Sequence, residues 1–300
     1  MLLDLLLRAA VVTATIAAAI ASAITSSTTP VTAAEAVRPS GIAFSEIEAL
    51  EQPEPDHRLT YGSHPSQFIE LWLPRDISEP PPIVVLIHGG CWLSAFGVDH
   101  IRPLAAALAG AGYAVWAPEY RRVGEPGGGD PGTLEDISTM LAALSTLSPV
   151  ALNTSRIALA GHSAGGHLAL WAAAQQNTPA GSHQIRPALK GVVGLAAITD
   201  LPSYAVLPGS CAPGTAQFMG GPPEQLAERY RELSPSKMDF PVPVVLIQGE
   251  NDAIVPLAQA RALPEARLHL IEDAGHFDLI YPPSPAFNVL LKALEHILDV

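Results

Sequence analysis

The chain is short of cysteine, of basic residues and of any metal-ligand spacing. Two cysteines in 300 residues cannot build a disulfide framework, and no zinc-type Cys or His spacing surrounds either of them. Sixteen Lys and Arg against twenty-nine Asp and Glu leave a net charge of −13. That deficit argues against nucleic acid or anionic membrane surfaces as partners, because phosphate recognition needs clustered cations and nothing clusters beyond Arg121-Arg122. No internal repeat divides the sequence, and a single domain is the default for this length.

Against these shortages, 48% of residues are hydrophobic, enough to bury a full core. Apolar runs at residues 83–87, 114–117, 157–160, 191–197, 244–248 and 267–271 read as buried strands. Helical patterns at 98–109, 132–147, 164–176, 257–262 and 285–298 alternate with them, bounded by glycine or proline. Ahead of this series, residues 59–61 and 67–73 read as an antiparallel pair. The alternation predicts an α/β fold, with a mostly parallel central sheet flanked by helices on both faces.

The first 24 residues are apolar and alanine-rich, with small residues that suit signal peptidase at Ala21-Ser22-Ala23 or at Val31-Thr32-Ala33-Ala34. They predict export to a periplasmic or secreted location. Asp4 is out of place in what should be a basic start, so a retained membrane anchor, a misassigned start codon and cytoplasmic residence stay open. Residues 25–45 read as a linker and 46–300 as the domain.

Chemistry enters with Gly161-His162-Ser163-Ala164-Gly165, set between the apolar run ending at Ala160 and a helix-forming stretch. A serine there sits on a sharp strand-to-helix turn, with its hydroxyl raised above the sheet. The pattern alone is a weak signal, and its company strengthens it. The strand at 83–87 runs into His88-Gly89-Gly90-Cys91-Trp92, where a glycine-rich loop can offer backbone N–H groups to a developing oxyanion. Gly89, Gly90 and Cys91 are the candidate donors of that loop, and Ala164, next after Ser163, is the candidate second donor.

A nucleophilic serine of this type is followed in the chain by a carboxylate and then a histidine. Of ten histidines, most precede the serine or the acid or flank the serine too closely, while His269 and His296 sit in strand and helix patterns. His276, in the loop Asp273-Ala274-Gly275-His276-Phe277, is left as the base. Asp252, beyond the strand at 244–248, is preferred as the acid over Glu250, Asp200 and Asp273. Its expected task is to hold the imidazole in the right tautomer and stabilise the imidazolium.

Together with Glu119-Tyr120-Arg121 and Pro131-Gly132-Thr133-Leu134-Glu135-Asp136, these segments resemble α/β-hydrolases of the esterase and kynurenine formamidase (arylformamidase) group, over roughly residues 57–298. The resemblance implies hydrolysis of a small-molecule carboxylic ester or aryl formamide through an acyl-enzyme, with no metal and no organic cofactor. Such families usually carry glycine, tyrosine or another residue where this chain has Cys91. Esterase, arylformamidase and peptidase stay separate possibilities, with an export signal favouring the esterase. A non-catalytic hydrolase-fold binding protein is the reading from another class, and the retention of all three triad candidates stands against it.

Further expectations follow from position. Trp92 and His88 are the candidate substrate-pocket residues, with core packing an equal reading for Trp92, while Phe277 is expected in the core. Residues 201–240 are expected as an irregular excursion, with Leu201, Tyr204, Phe218, Met219 and Tyr230 as a small lid. Arg121 and Asp136 either pin the glycine-rich loop at 125–132 or are ordinary surface charges. Cys91 and Cys211 either form one bridge, tying the oxyanion loop to the excursion, or remain two thiols.

Overall fold

The apolar runs become strands because each is buried by its neighbours. The computed structural model describes residues 41–177, 188–209 and 211–300, so the expected signal and most of the expected linker lie outside the described residues. Eight strands form a sheet: β1 (His57–Thr60), β2 (Phe68–Trp72), β3 (Pro82–Ile87), β4 (Ala114–Pro118), β5 (Asn153–His162), β6 (Gly191–Leu195), β7 (Val244–Gly249) and β8 (Arg267–Ile271). Their order across the sheet is β1-β2-β4-β3-β5-β6-β7-β8. β1, β2 and β4 pair antiparallel, and every pairing from β4 to β8 is parallel.

Successive strand residues point to opposite faces, and the last six residues of β5 are all buried. Both faces of the sheet centre are therefore covered, as a parallel sheet with crossover helices requires. The crossovers include α2 (Arg102–Gly110), α3 (Gly132–Leu147) and α4 (Ala164–Ala174), while α8 (Leu257–Arg261) follows β7 and α9 (Pro285–Leu298) follows β8. α4 packs on β5 and β6, and α9 on β5, β6 and β7. Ser284 caps α9, its hydroxyl accepting from the Ala286 amide, with Pro285 at the first helical position.

Three expectations need correction. Residues 201–240 are not irregular: they carry α5 (Leu201–Ala205), α6 (Ala212–Met219) and α7 (Ala227–Leu233). Prolines and glycine, which would break a helix interior, stand here at helix ends. Pro202 and Pro213 occupy first turns, and Gly220 takes the left-handed cap after α6 at φ 79°. The residues expected to form a lid, Leu201, Tyr204, Phe218, Met219 and Tyr230, are instead buried in the core.

The linker boundary also moves, because residues 41–45 are packed rather than connecting. The described residues from Gly41 onward form one compact unit, and α1 (Phe44–Glu48) is its first helix. The Ile42 amide donates to Asp278 Oδ2 at 2.8 Å, and a Cβ on Gly41 would lie 2.6 Å from the Gly275 nitrogen.

Arg121 and Asp136 form a largely buried pair. Asp136, 1% exposed, accepts from the Arg121 guanidinium at 2.6 to 3.0 Å, from the Arg121 amide at 2.8 Å and from Gln67 Nε2 at 2.7 Å. Arg121 also donates to the Gly132 carbonyl at 3.0 Å, which ties the glycine-rich loop to the start of α3.

Candidate active site

The parallel strands β3, β5, β7 and β8 end on one side of the sheet, and the loops leaving those ends build a cleft of about 380 Å³. Openings beyond the carboxyl ends of parallel strands are where open α/β sheets place ligands. Ser163 and His276 both line this cleft.

Ser163 stands between β5 and α4 with φ 56° and ψ −119°, a left-handed backbone that a side chain adopts only when its surroundings hold it there. The flanking glycines permit the hold. A Cβ on Gly161 would lie 2.2 Å from the Gly165 carbonyl oxygen, and one on Gly165 would lie 2.2 Å from that of Ile87. Any larger residue would push the elbow away from β3. The Ser163 amide donates to Leu195 O at 2.8 Å, tying the turn to the end of β6.

Asp252 and His276 arrive on the loops after β7 and β8. His276 Nδ1 lies 2.7 Å from Asp252 Oδ2, and the Asp252 side chain is fully buried. The other carboxylate oxygen accepts from the amides of Ile254 and Val255, each at 2.8 Å. Gln248 Nε2 donates to Asp252 Oδ2 at 3.1 Å and to the Val255 carbonyl at 2.9 Å. Gln248 thus fixes the carboxylate from behind. A polar residue at a strand end gives no spacing signal, and sequence reasoning missed it.

The loop after β3 is left-handed at three successive residues: Gly90 (φ 102°), Cys91 (φ 55°) and Trp92 (φ 58°). Gly90 and Cys91 line the cleft. Among the described residues neither of their amides donates to a backbone acceptor. Gly89 is placed differently, packed against the elbow, where a Cβ would lie 2.7 Å from the His162 carbonyl and 3.1 Å from Ser163 Cβ. Ala164 is the first residue of α4, so its amide belongs to the unpaired set at a helix start. Cys91 and Cys211 form a disulfide, with Cα atoms 5.2 Å apart, and both line the cleft.

Trp92 and His88, the expected pocket residues, do not line it. Left-handed backbone turns Trp92 inward, where it is fully buried, stacked on Phe218 at 4.9 Å and edge-on to His167 at 5.4 Å. His88 is also fully buried, with Nε2 2.8 Å from Glu119 Oε1 and its ring stacked on Tyr120 at 4.4 Å. Burial alone would raise the Glu119 carboxyl; the adjacent His88 and Arg122 outweigh it and hold that group below its ordinary value.

The cleft walls come instead from Phe44, Leu93, Phe96, His100, Ile254 and Phe277, with His162 beside the serine. Phe277, expected in the core, does pack against it and also forms part of the wall. The His162 ring packs on that of His276 at 4.4 Å between centroids, and its Nε2 donates to the His276 carbonyl at 3.1 Å. Burial, with the nearby His276 and His100, pushes the His162 imidazole well below its usual range. Burial likewise pushes His100 down to about 3, so neutral rings surround the candidate base. A second, more polar hollow of about 450 Å³ shares Phe44, Phe96 and His100 with the cleft and adds Glu48, Asp99 and Arg102. Among the described residues, no group of three His, Cys, Asp or Glu side chains is arranged to hold a metal ion.

Comparison with known proteins agrees with this architecture. The BD-FAE family model matches residues 69–266. The chain is 26% identical to Esterase LipC of Mycobacterium tuberculosis over 251 residues, covering 74% of this chain and 60% of that relative's length. It superposes on Esterase B from Lactobacillus Rhamnosis with a TM-score of 0.69 at 22% identity, covering 85% of this chain and 90% of that one. For a truncated carbohydrate esterase from gut microbiota the TM-score is 0.68 at 19% identity, over 81% and 95% of the two chains. With its sheet of eight strands, its serine elbow and a family match over more than half its length, the chain belongs to the BD-FAE family and has the α/β-hydrolase fold.

Proposed function

We propose that the protein is a serine hydrolase that cleaves carboxylic esters through an acyl-enzyme. The observation that carries this reading is the 2.7 Å contact between His276 Nδ1 and Asp252 Oδ2 in a cleft that Ser163 also lines. In the first step the Ser163 hydroxyl oxygen bonds to the ester carbonyl carbon while its proton passes to His276 Nε2. The N–H groups of Gly90 or Cys91 and of Ala164 donate to the carbonyl oxygen as negative charge forms on it. Collapse breaks the ester C–O bond, and His276 returns the proton to the departing alcohol. A water molecule then attacks the acyl-serine by the same route and releases the acid. Asp252 keeps the Nδ1 proton in place throughout, leaving Nε2 free to accept.

The lining favours an apolar acyl or aryl group against Leu93, Phe96, Ile254 and Phe277, with the hydrated part of the ester in the hollow beside Glu48 and Asp99. The relative LipC, named an esterase, supports ester over formamide or peptide substrates. The Cys91–Cys211 disulfide supports export, since such bonds persist in oxidising compartments.

Rates on short p-nitrophenyl esters, N-formylkynurenine and a dipeptide amide test the assignment. The expected result is fastest turnover of an ester, abolished by Ser163→Ala. Preference for N-formylkynurenine would make the protein an arylformamidase, and turnover surviving in the variant would remove the serine mechanism.

A further inference from the structure

We propose that α6 braces the oxyanion loop through the Cys91–Cys211 disulfide, so that turnover depends on the oxidation state of that bond; this rests on the reading of Ser163 as nucleophile. Cys91 and Trp92 both hold left-handed backbone, at φ 55° and 58°, a conformation that L side chains keep only where surrounding contacts over-determine it. Those contacts come largely from one helix face. Cys211, the N-cap of α6, is bonded to Cys91. Gly214 lies so close that a Cβ there would stand 2.9 Å from the Cys91 carbonyl oxygen. Phe218 stacks on Trp92 with ring centroids 4.9 Å apart and planes 20° apart.

Positions 211, 214 and 218 are spaced by three and four residues, the repeat that places side chains on one helix face. The excursion is thus fitted to the loop, where a lid would instead cover the opening. Its outer end is also anchored, since the Asp130 amide donates to the Phe218 carbonyl at 2.8 Å.

Some of the loop does not depend on α6. The Leu93 amide donates to the Gly90 carbonyl at 2.9 Å and the Val123 amide to the Trp92 carbonyl at 2.8 Å. Opening the disulfide therefore loosens the loop without dismantling it. The amides that face the oxyanion lose their fixed direction while the walls that bind substrate stay in place. Such a change lowers kcat far more than it raises KM, because the interaction is made in the transition state.

Both cysteines line the cleft, so a small dithiol reaches the bond by the route substrate takes. With dithiothreitol as reductant, one of its thiolates attacks a bridge sulfur and breaks the S–S bond. Its second thiol then closes the six-membered disulfide ring, leaving Cys91 and Cys211 as thiols; two electrons pass from dithiothreitol to the bridge. An occupant of the cleft should shield the bond.

The test compares oxidised and reduced full-length enzyme on p-nitrophenyl acetate, with active sites counted by a fluorophosphonate so that unfolded molecules drop out. The expected result is a fall in kcat per titrated site of about tenfold on reduction, less than the 10²–10³ that follows complete loss of one oxyanion donor. KM should stay nearly constant, and reoxidation with oxidised glutathione should restore the rate. Phe218→Ala, which leaves the bond intact, should lower kcat per site in the oxidised enzyme. Phosphonylated enzyme should lose its disulfide to dithiothreitol more slowly than free enzyme. A purely structural bridge would lower thermal stability with kcat per site unchanged, and that result overturns the proposal, as would equal reduction rates for free and phosphonylated enzyme. An oxidised enzyme that neither labels nor turns over ester sinks the hydrolase reading and the brace with it. An active oxidised enzyme indifferent to reduction sinks the brace alone.

Discussion

Replacing Asp252 by Asn leaves the shape of the site almost unchanged and inverts its hydrogen-bond logic. One carboxylate oxygen accepts from the Ile254 and Val255 amides; the other faces two further donors, His276 Nδ1 at 2.7 Å and Gln248 Nε2 at 3.1 Å. A carboxamide has one oxygen to offer. Facing it toward the two backbone amides, which cannot turn away, leaves its NH2 group against Gln248 and His276. His276 can meet that NH2 only as an acceptor, which moves its proton to Nε2. In that tautomer the ring cannot take the Ser163 proton. A wrong-tautomer imidazole costs on the order of 10⁴ in kcat, or about 5.5 kcal/mol of barrier. The assay is kcat/KM on p-nitrophenyl acetate across neutral to alkaline pH, with a thermal melt to verify folding. A folded Asp252→Asn enzyme that loses less than about tenfold would refute the tautomer argument.

Other consequences can be tested on stability. Asp136→Ala leaves the Arg121 guanidinium and Gln67 without their shared acceptor, and should destabilise the fold by about 3 kcal/mol in denaturant titration. Arg121→Ala with Asp136→Ala should then show a coupling above about 1 kcal/mol, and additivity would show that the pair contributes no more than surface charges do. Acid should also unfold the protein through its buried histidines. Burial pushes the His167 imidazole down to about 4, against the opposing influence of its bond to the Leu233 carbonyl, whereas in the unfolded chain it titrates near 6.5. The unfolded state therefore binds the extra proton. Stability from this group is complete above about pH 6.5 and falls by up to about 1.4 kcal/mol per pH unit between there and about 4. His100 and His162, also lowered by burial, act in the same direction. His167→Gln should reduce the slope of unfolding free energy against pH by about one proton in that range, and an unchanged slope would contradict the assignment.

The strands were legible because a parallel sheet covered on both faces writes continuous apolar runs into the sequence, as at residues 157–160 and 244–248. The gathering of Ser163, Asp252 and His276 was foreseeable for a related reason: each sits in a loop just beyond the end of such a run, and parallel strands end together. The cleft walls were not legible. Phe44, Phe96, Ile254 and Phe277 come from four separate segments, and only tertiary packing makes them neighbours. Pocket and core read equally well for Trp92, and the structure takes the core reading, because its side-chain direction depends on a left-handed backbone that the sequence does not announce: a bulky aromatic is a poor occupant of that region. The 201–240 excursion reads as irregular because prolines and glycines break helix interiors, whereas Pro202, Pro213 and Gly220 mark helix ends.

An activated serine at position 163 should be visible by intact-mass analysis of the purified protein before and after a fluorophosphonate, with Ser163→Ala alongside. One adduct is expected on the unsubstituted protein and none on the variant. No adduct on either, or an adduct that persists without Ser163, would contradict it.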